Sequence, residues 1–342
     1  MEEEEQRPSL SSRRNFITRS LLAGGALLGG APVAAIAADP PPETPRVRIV
    51  KVPAVCVAPQ FVAEDLLKVE GFSDVQYVPI REGAGTFKLL AAGEADISIA
   101  FTAPFIIQAD EGAPIVLVAG IHTGCFELFG TDRVRTVHDL KGKKVAVPGL
   151  GSSHHVFVAT MAAHVGLDPR KDIEFVVAPR GEGMRMLAGG KVDAYLGFPP
   201  DPQELRAKKV GHVVVNSTVD RPWSQYFCCV AAANRNFVQK HPAATKRALR
   251  AILKAADICS ADPQRVARLM VDKQIEPSYD DALQIIKDVP FGRWRSHSPE
   301  DAARFYALRL HEAGMVKTPP HKIIAQATDW RFLNELKREL KG

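Results

Sequence analysis

Two stretches of this chain overlay one another: FKLLAAGEADISIA at residues 87–100 and MRMLAGGKVDAYLG at residues 184–197, offset by a constant 97. Leu90 falls on Leu187, Ala91 on Ala188, Gly93 on Gly190 and Asp96 on Asp193. Each stretch reads as a helix, a glycine able to take the positive φ of a helix end, a turn, and a buried strand of a parallel sheet. Moving outward, residues 47–52, 75–78, 95–100 and 115–119 read as strands, with helical patterns at 60–69 and 86–92 and a further helix before the last strand. The order recurs from residue 143, with strands at 144–147, 173–177, 192–196 and 213–215 and helices at 153–165, 183–188 and 202–208. Pro53, Val62, Ala63 and Gly71 likewise answer Pro148, Val158, Ala159 and Gly166 at offsets of 95 or 96. The alternation predicts an α/β chain with two similar, mainly parallel sheets flanked by helices.

Composition bounds what such a chain does. A net charge of +5 dispersed over 342 residues is no nucleic-acid footprint, and with 46% hydrophobic residues the chain can fill two cores. The five cysteines, Cys56, Cys125, Cys228, Cys229 and Cys259, are too few and odd in number for a disulfide scaffold, so at least one thiol stays free. From Asn234 onward apolar residues recur every three or four positions, as in HPAATKRALRAILKAADICSADPQ, which predicts helices packed on the first sheet.

The N-terminus carries its own signal. Ser12-Arg13-Arg14-Asn15-Phe16-Ile17 resembles a twin-arginine export signal, and the apolar run 21–37 is short for a membrane span and diluted by four glycines and Pro32. Ala35-Ile36-Ala37 offers a small-x-small cleavage site, so export with removal of residues 1–37 is expected. The segment ADPPPETPR follows as an extended Pro-rich linker, residues 38–46.

The elements LLAAGEADISIAFTAP, GAPIVLVAG, TVHDLKGKKVAVPGLGSSHH, MLAGGKVDAYLGFPPDP and ANRNFVQKHP, in this order, resemble the type-II periplasmic solute-binding proteins of the nitrate, sulfonate, taurine and thiamine-precursor group of ABC importers. The resemblance covers nearly the whole chain after residue 37. It implies a periplasmic-binding-protein type II fold, two lobes joined by two crossover strands that close on a small molecule. The corresponding organisation is 47–126 as the first part of lobe I, 127–225 as lobe II, and 226–342 as the return to lobe I with the C-terminal helices. It further implies a monomeric periplasmic receptor that hands its solute to an ABC permease, without cofactor or covalent chemistry.

The residues lead to the same cleft, because open parallel sheets bind ligands beyond the carboxyl ends of their strands. Four loops lie there: 53–59, FTAP at 101–104, GLGSSHH at 149–155 and GFPPD at 197–201. In GLGSSHH, the amides of Gly151, Ser152, Ser153 and His154 at a helix start favour an anion, with His154 as a ring donor and His155 turned away. Val55, Cys56 and Val57 supply an apolar wall. Phe101 and Thr102 stand at one strand end and Phe198 and Asp201 at another, while Phe126, Trp223, Tyr226 and Phe227 are aromatic wall or core. Arg81, near Glu82, and Arg180, near Glu182, occupy equivalent loops; each either clamps an acidic group or forms a structural ion pair. This mixture points to an organic anion rather than bare nitrate or a metal ion.

Two rival chemistries arise from the cysteines. Cys56, on a cleft loop at a helix start, is placed as a nucleophile would be in a cysteine-dependent enzyme, of the kind that a desulfinase or thiamine-precursor synthase on a related fold represents. A metal reading gathers His122, Cys125, His154 and His155, but no second spaced pair completes the His122-x-x-Cys125 pair, so no metal is expected. Cys228-Cys229 lies in the strand-like YFCCVAAAN, read as the return crossover, where adjacent side chains point to opposite faces.

Overall fold

The computed structural model describes residues 39–80 and 86–340. The export signal, its cleavage site and Arg81 lie outside the described residues. Residues 41–342 form one unit.

Two five-stranded sheets with the same plan organise that unit. The first lobe begins with β1 (Arg46–Lys51), α1 (Pro59–Val69), β2 (Asp74–Pro79), α2 (Thr86–Ala91), β3 (Ile97–Phe101), α3 (Thr102–Asp110) and β4 (Ile115–Thr123). After residues 124–126 the second lobe follows as β5 (Glu127–Gly130), β6 (Lys143–Val147), α4 (Ser153–His164), β7 (Ile173–Val177), α5 (Arg180–Ala188), β8 (Ala194–Gly197), α6 (Asp201–Ala207) and β9 (His212–Asn216). The chain then returns as β10 (Phe227–Asn234). Strand orders are β2-β1-β3-β10-β4 and β7-β6-β8-β5-β9. In each sheet the fourth strand is antiparallel to both neighbours and is the one that enters after a crossover.

This insertion explains why β10 does not alternate in polarity. All eight of its residues are buried, because it runs between two strands and is covered on both faces. Pairing with β10 also carries β4 past the expected end at residue 119, with His122 opposite Cys229 and Thr123 opposite Phe227. At Gly120 a Cβ would stand 2.4 Å from the Phe227 ring, so this position admits no side chain.

The repeated turns do the same work in both lobes. Gly93 and Gly190 take φ of 71° and 66°. Asp96 then donates its amide to the Arg48 carbonyl at 2.8 Å, and its carboxylate accepts the Arg48 amide at 2.8 Å. Asp193 repeats this on Lys144, at 2.8 and 2.9 Å. Each aspartate therefore closes the end of a first strand whose backbone groups would otherwise be unpaired. Arg48 adds a bidentate pair to Asp96, and Arg133 supplies the cation for Asp193.

In the Pro-rich segment the Glu43 carboxylate accepts the amides of Ala243 and Ala244 at 2.9 and 2.8 Å, filling the donors at the start of α8 (Pro242–Ala261). One expectation needs correction. The C-terminal helices α7 (Arg235–Lys240), α8, α9 (Pro263–Asp272), α10 (Tyr279–Asp288), α11 (Pro299–Glu312), α12 (Pro320–Ala327) and α13 (Arg331–Glu339) do not all serve the first lobe alone. Helix α11 packs against both α3 and α4, and its Tyr306 meets Phe101 of one lobe and Phe157 of the other edge to face.

Candidate functional site

A cleft of about 310 Å³ opens where the carboxyl ends of the two sheets meet, near the small end for ligand sites. Its first-lobe wall is Cys56 and Val57 after β1, Phe87 of α2 and Phe101 at the end of β3. The second lobe contributes Ser153 and Phe198, and the crossovers contribute Cys125, Phe126 and Cys229. Phe126 is the hub of the wall, with ring centroids 5.3 Å from Phe101 and 5.9 Å from Phe198. Phe87, Cys125 and Cys229 escaped the sequence reading as cleft residues. The signal for Phe87 was its place at the first turn of a helix that begins beside a strand end.

The GLGSSHH loop is narrower in its offering than its sequence suggests. Gly151, at φ 80°, donates its amide to His155 Nδ1 at 3.0 Å. Ser152 donates its amide to the Gly149 carbonyl and caps α4 by accepting the His155 amide on its hydroxyl at 3.3 Å. Both amides are occupied. Among the described residues, the amides of Ser153 and His154 find no acceptor, and Ser153 borders the cleft. These two open amides lie at the positive end of a twelve-residue dipole.

His154 is buried between Phe126 and Phe198, at centroid distances of 5.8 and 5.1 Å, and its Nε2 has no partner among the described residues. Burial, then the nearby Arg180 cation, push its pKa down to about 4. At neutral pH the ring is uncharged.

Arg180 pairs with Asp201 and not with Glu182, which reaches Arg185 instead. Its Nε donates to Asp201 Oδ1, while Tyr195 donates its hydroxyl to Asp201 Oδ2 at 2.5 Å. Asp201 is buried beneath these partners, and burial raises its pKa although both partners lower it. Its place is that of an anchor for Arg180. The guanidinium, still partly exposed, lies 5.3 Å over the Phe198 ring on the second-lobe wall.

Val55, Thr102 and Tyr226 are absent from the cleft lining, as are Gly151, Ser152, His154, Arg180 and Asp201 just behind it. Val55 is packed in the core. The Thr102 hydroxyl donates to the carbonyls of Phe227 and Cys228, at 2.8 and 2.9 Å, fastening α3 to the return strand. Tyr226 stacks on Phe305 at 4.0 Å, and Trp223 joins the same aromatic group.

The cysteines converge where the sequence kept them apart. Ligand atoms of Cys56, His122 and Cys125 lie within 4.8 Å of one another, and so do those of Cys125, Cys228 and Cys229. Cys125 Sγ is 3.4 Å from Cys228 Sγ. His154 and His155, grouped with His122 by sequence, belong to neither set. The neighbouring Cys125 thiol lowers the Cys56 pKa, yet Cys229 and burial together push it up, whereas the surrounding thiols of Cys125, Cys228 and Cys56 hold Cys229 down. A protonated Cys56 is a poor nucleophile.

Comparison with known proteins agrees with this architecture. The taurine-binding periplasmic protein of Escherichia coli (strain K12) is 24% identical over 203 residues, covering 59% of this chain and 62% of that protein. A 4-amino-5-hydroxymethyl-2-methylpyrimidine phosphate synthase of Saccharomyces cerevisiae, THI12, is 24% identical over 200 residues, covering 54% and 57%. The chain thus spans less than two thirds of these relatives' length. In fold it is similar to the periplasmic nitrate-binding protein NrtA from Synechocystis PCC 6803, with a TM-score of 0.70 at 15% identity over 88% of this chain and 90% of that one. It is similar also to the alkanesulfonate-binding protein SsuA from Xanthomonas axonopodis pv. citri, with a TM-score of 0.68 at 18% identity over 86% and 100%. Residues 40–271 match the NMT1-like family, and over that span, more than half of its length, the chain belongs to this family.

Proposed function

We propose that this chain is a periplasmic solute-binding receptor that captures a small organic anion, a sulfonate or carboxylate with an apolar body, and presents it to an ABC permease without changing it. The carrying observation is the pairing of an aromatic and aliphatic cleft with two partnerless amides at its second-lobe edge, those of Ser153 and His154. The apolar wall takes the body of the ligand, and the helix end takes its acidic group. Arg180, held in place by Asp201, supplies the nearest cation of the second lobe for a charge-assisted bond. Differential contacts from both lobes then favour a closed state that the permease recognises.

The test is thermal melting and calorimetry of the purified protein with alkanesulfonates, carboxylates and neutral alcohols of matched length. An acid at 100 times its dissociation constant should add about 2.7 kcal/mol, the matched alcohol nothing comparable, and Arg180→Ala should weaken the acid alone. Equal binding of acid and alcohol would remove the anion from the reading.

A second reading, a cysteine-dependent enzyme, draws on the Cys56 and Cys229 thiols at the cleft wall. It requires a product whose release disappears in Cys229→Ala. Stoichiometric recovery of unchanged ligand decides for the receptor.

A further inference from the structure

The sulfur cluster goes beyond any receptor for organic anions. Cys56 lies on the loop after β1, Cys125 on the first crossover, and Cys228 and Cys229 at the return crossover, with His122 on β4 beside them. All five are buried, while Cys56, Cys125 and Cys229 also border the cleft, which provides an entry path. In a tetrahedral thiolate site, metal–sulfur bonds near 2.3 Å place the sulfurs roughly 3.7 Å apart. The observed 3.4 Å between Cys125 and Cys228, and the 4.8 Å limit within each set, need only small rotamer changes to reach it.

One further observation points to a ligand at this place. The His122 Nδ1 sits 3.4 Å from the Thr123 carbonyl, and its fully buried Nε2 has no partner among the described residues. A ring whose Nδ1–H is directed at a carbonyl keeps a lone pair on Nε2, the arrangement that metal-ligating histidines use. Cys125, shared by both sets, is held at φ 129°, a backbone region that a non-glycine residue rarely adopts. The residue before it, Gly124, can carry no side chain, since a Cβ would stand 2.4 Å from the Thr218 backbone.

We propose that Cys125, shared by the two sets, and partners drawn from them bind one thiophilic d10 cation, Cu(I) or Zn(II), at the junction of the two crossovers. No carboxylate belongs to either set, which excludes the oxygen-seeking cations Ca²⁺ and Mg²⁺. Each cysteine that binds the cation releases its thiol proton to solvent, so affinity falls as pH falls. The cation ties the β1 loop to both crossovers, the connections about which the lobes hinge.

The experiment is to reduce the full chain without oxygen, strip it with a chelator, and load it separately with Zn(II) and with Cu(I) held by a competing chelator. After desalting, the bound metal is counted by mass spectrometry and the remaining free thiols are titrated. The expected result is one Zn(II) or one Cu(I) per chain, with at least two thiols protected, and the two loadings identify which cation is preferred. Cys125→Ser and Cys229→Ser should each lose more affinity than the ~10–100-fold typical of an outer partner, while Cys259→Ser, buried elsewhere, should keep it all. Reduced, folded parent protein that retains neither cation overturns the proposal, as does retention that survives both cluster variants. The parent titration decides even if a variant fails to fold. No organic ligand enters the measurement, so its outcome is separate from that of the receptor reading.

Discussion

The two lobes share a scaffold and differ in chemistry. Strand order, the positive-φ glycines at 93 and 190 and the strand-closing aspartates at 96 and 193 recur from one lobe to the other. At the cleft the likeness ends. Among the described residues, the first lobe offers sulfur, aliphatic and aromatic groups there, whereas the second offers the Ser153 hydroxyl and open amides beside the Phe198 ring, with the Arg180 guanidinium over that ring. What recurs is what the backbone of a twisted parallel sheet requires, and what diverged is the side of each loop that faces the ligand.

The sharpest way to break this equivalence is to remove the shared aspartates. Asp96→Ala strands the Arg48 amide and cation and should cost about 3 kcal/mol in denaturant unfolding. Asp193→Ala should cost less, about 2 kcal/mol, because Arg133 is more than half exposed and its pairing is screened. A negligible loss at Asp193 would show that the two turns are equivalent in shape only.

Next in size is a pH effect confined to the second lobe. The unfolded His154 ring takes up a proton near 6.5 and the folded ring only at about 4, so between these values the unfolded state binds more protons. Stability therefore falls on acidification from pH 7 to pH 4, by up to ~3 kcal/mol from this group, and His154→Leu should remove that slope. Parallel pH profiles of parent and variant would refute the assignment.

The third test separates the anion site from the helix start. Ser153→Asp should weaken an anionic ligand ~30–100-fold by repulsion, equivalent to about 2–2.7 kcal/mol, as read by calorimetry. Because Ser152 and not Ser153 is the cap, the new carboxylate acts only through the dipole and should leave ligand-free melting unchanged or slightly higher. Undiminished binding would take the acidic group off this helix start and leave it to Arg180. The smallest effect belongs to Ser153→Ala, about 1 kcal/mol in affinity for the loss of one hydroxyl bond.

By itself the sequence determined the alternation of strand and helix, the glycine and aspartate turns, and the loops that border the cleft. These rest on period, on φ preference and on capping, and each acts within a few residues of its cause. The tertiary structure decided that Arg180 turns to Asp201 across 21 positions instead of to its near neighbour Glu182, and that His155 takes the Gly151 amide. It also decided that Cys125 meets Cys228 across 103 positions. That meeting exists because β10 inserts between β3 and β4 and brings the return crossover back beside the first. Residue spacing reports backbone conformation, while side-chain partners follow from strand order, which long-range packing alone sets.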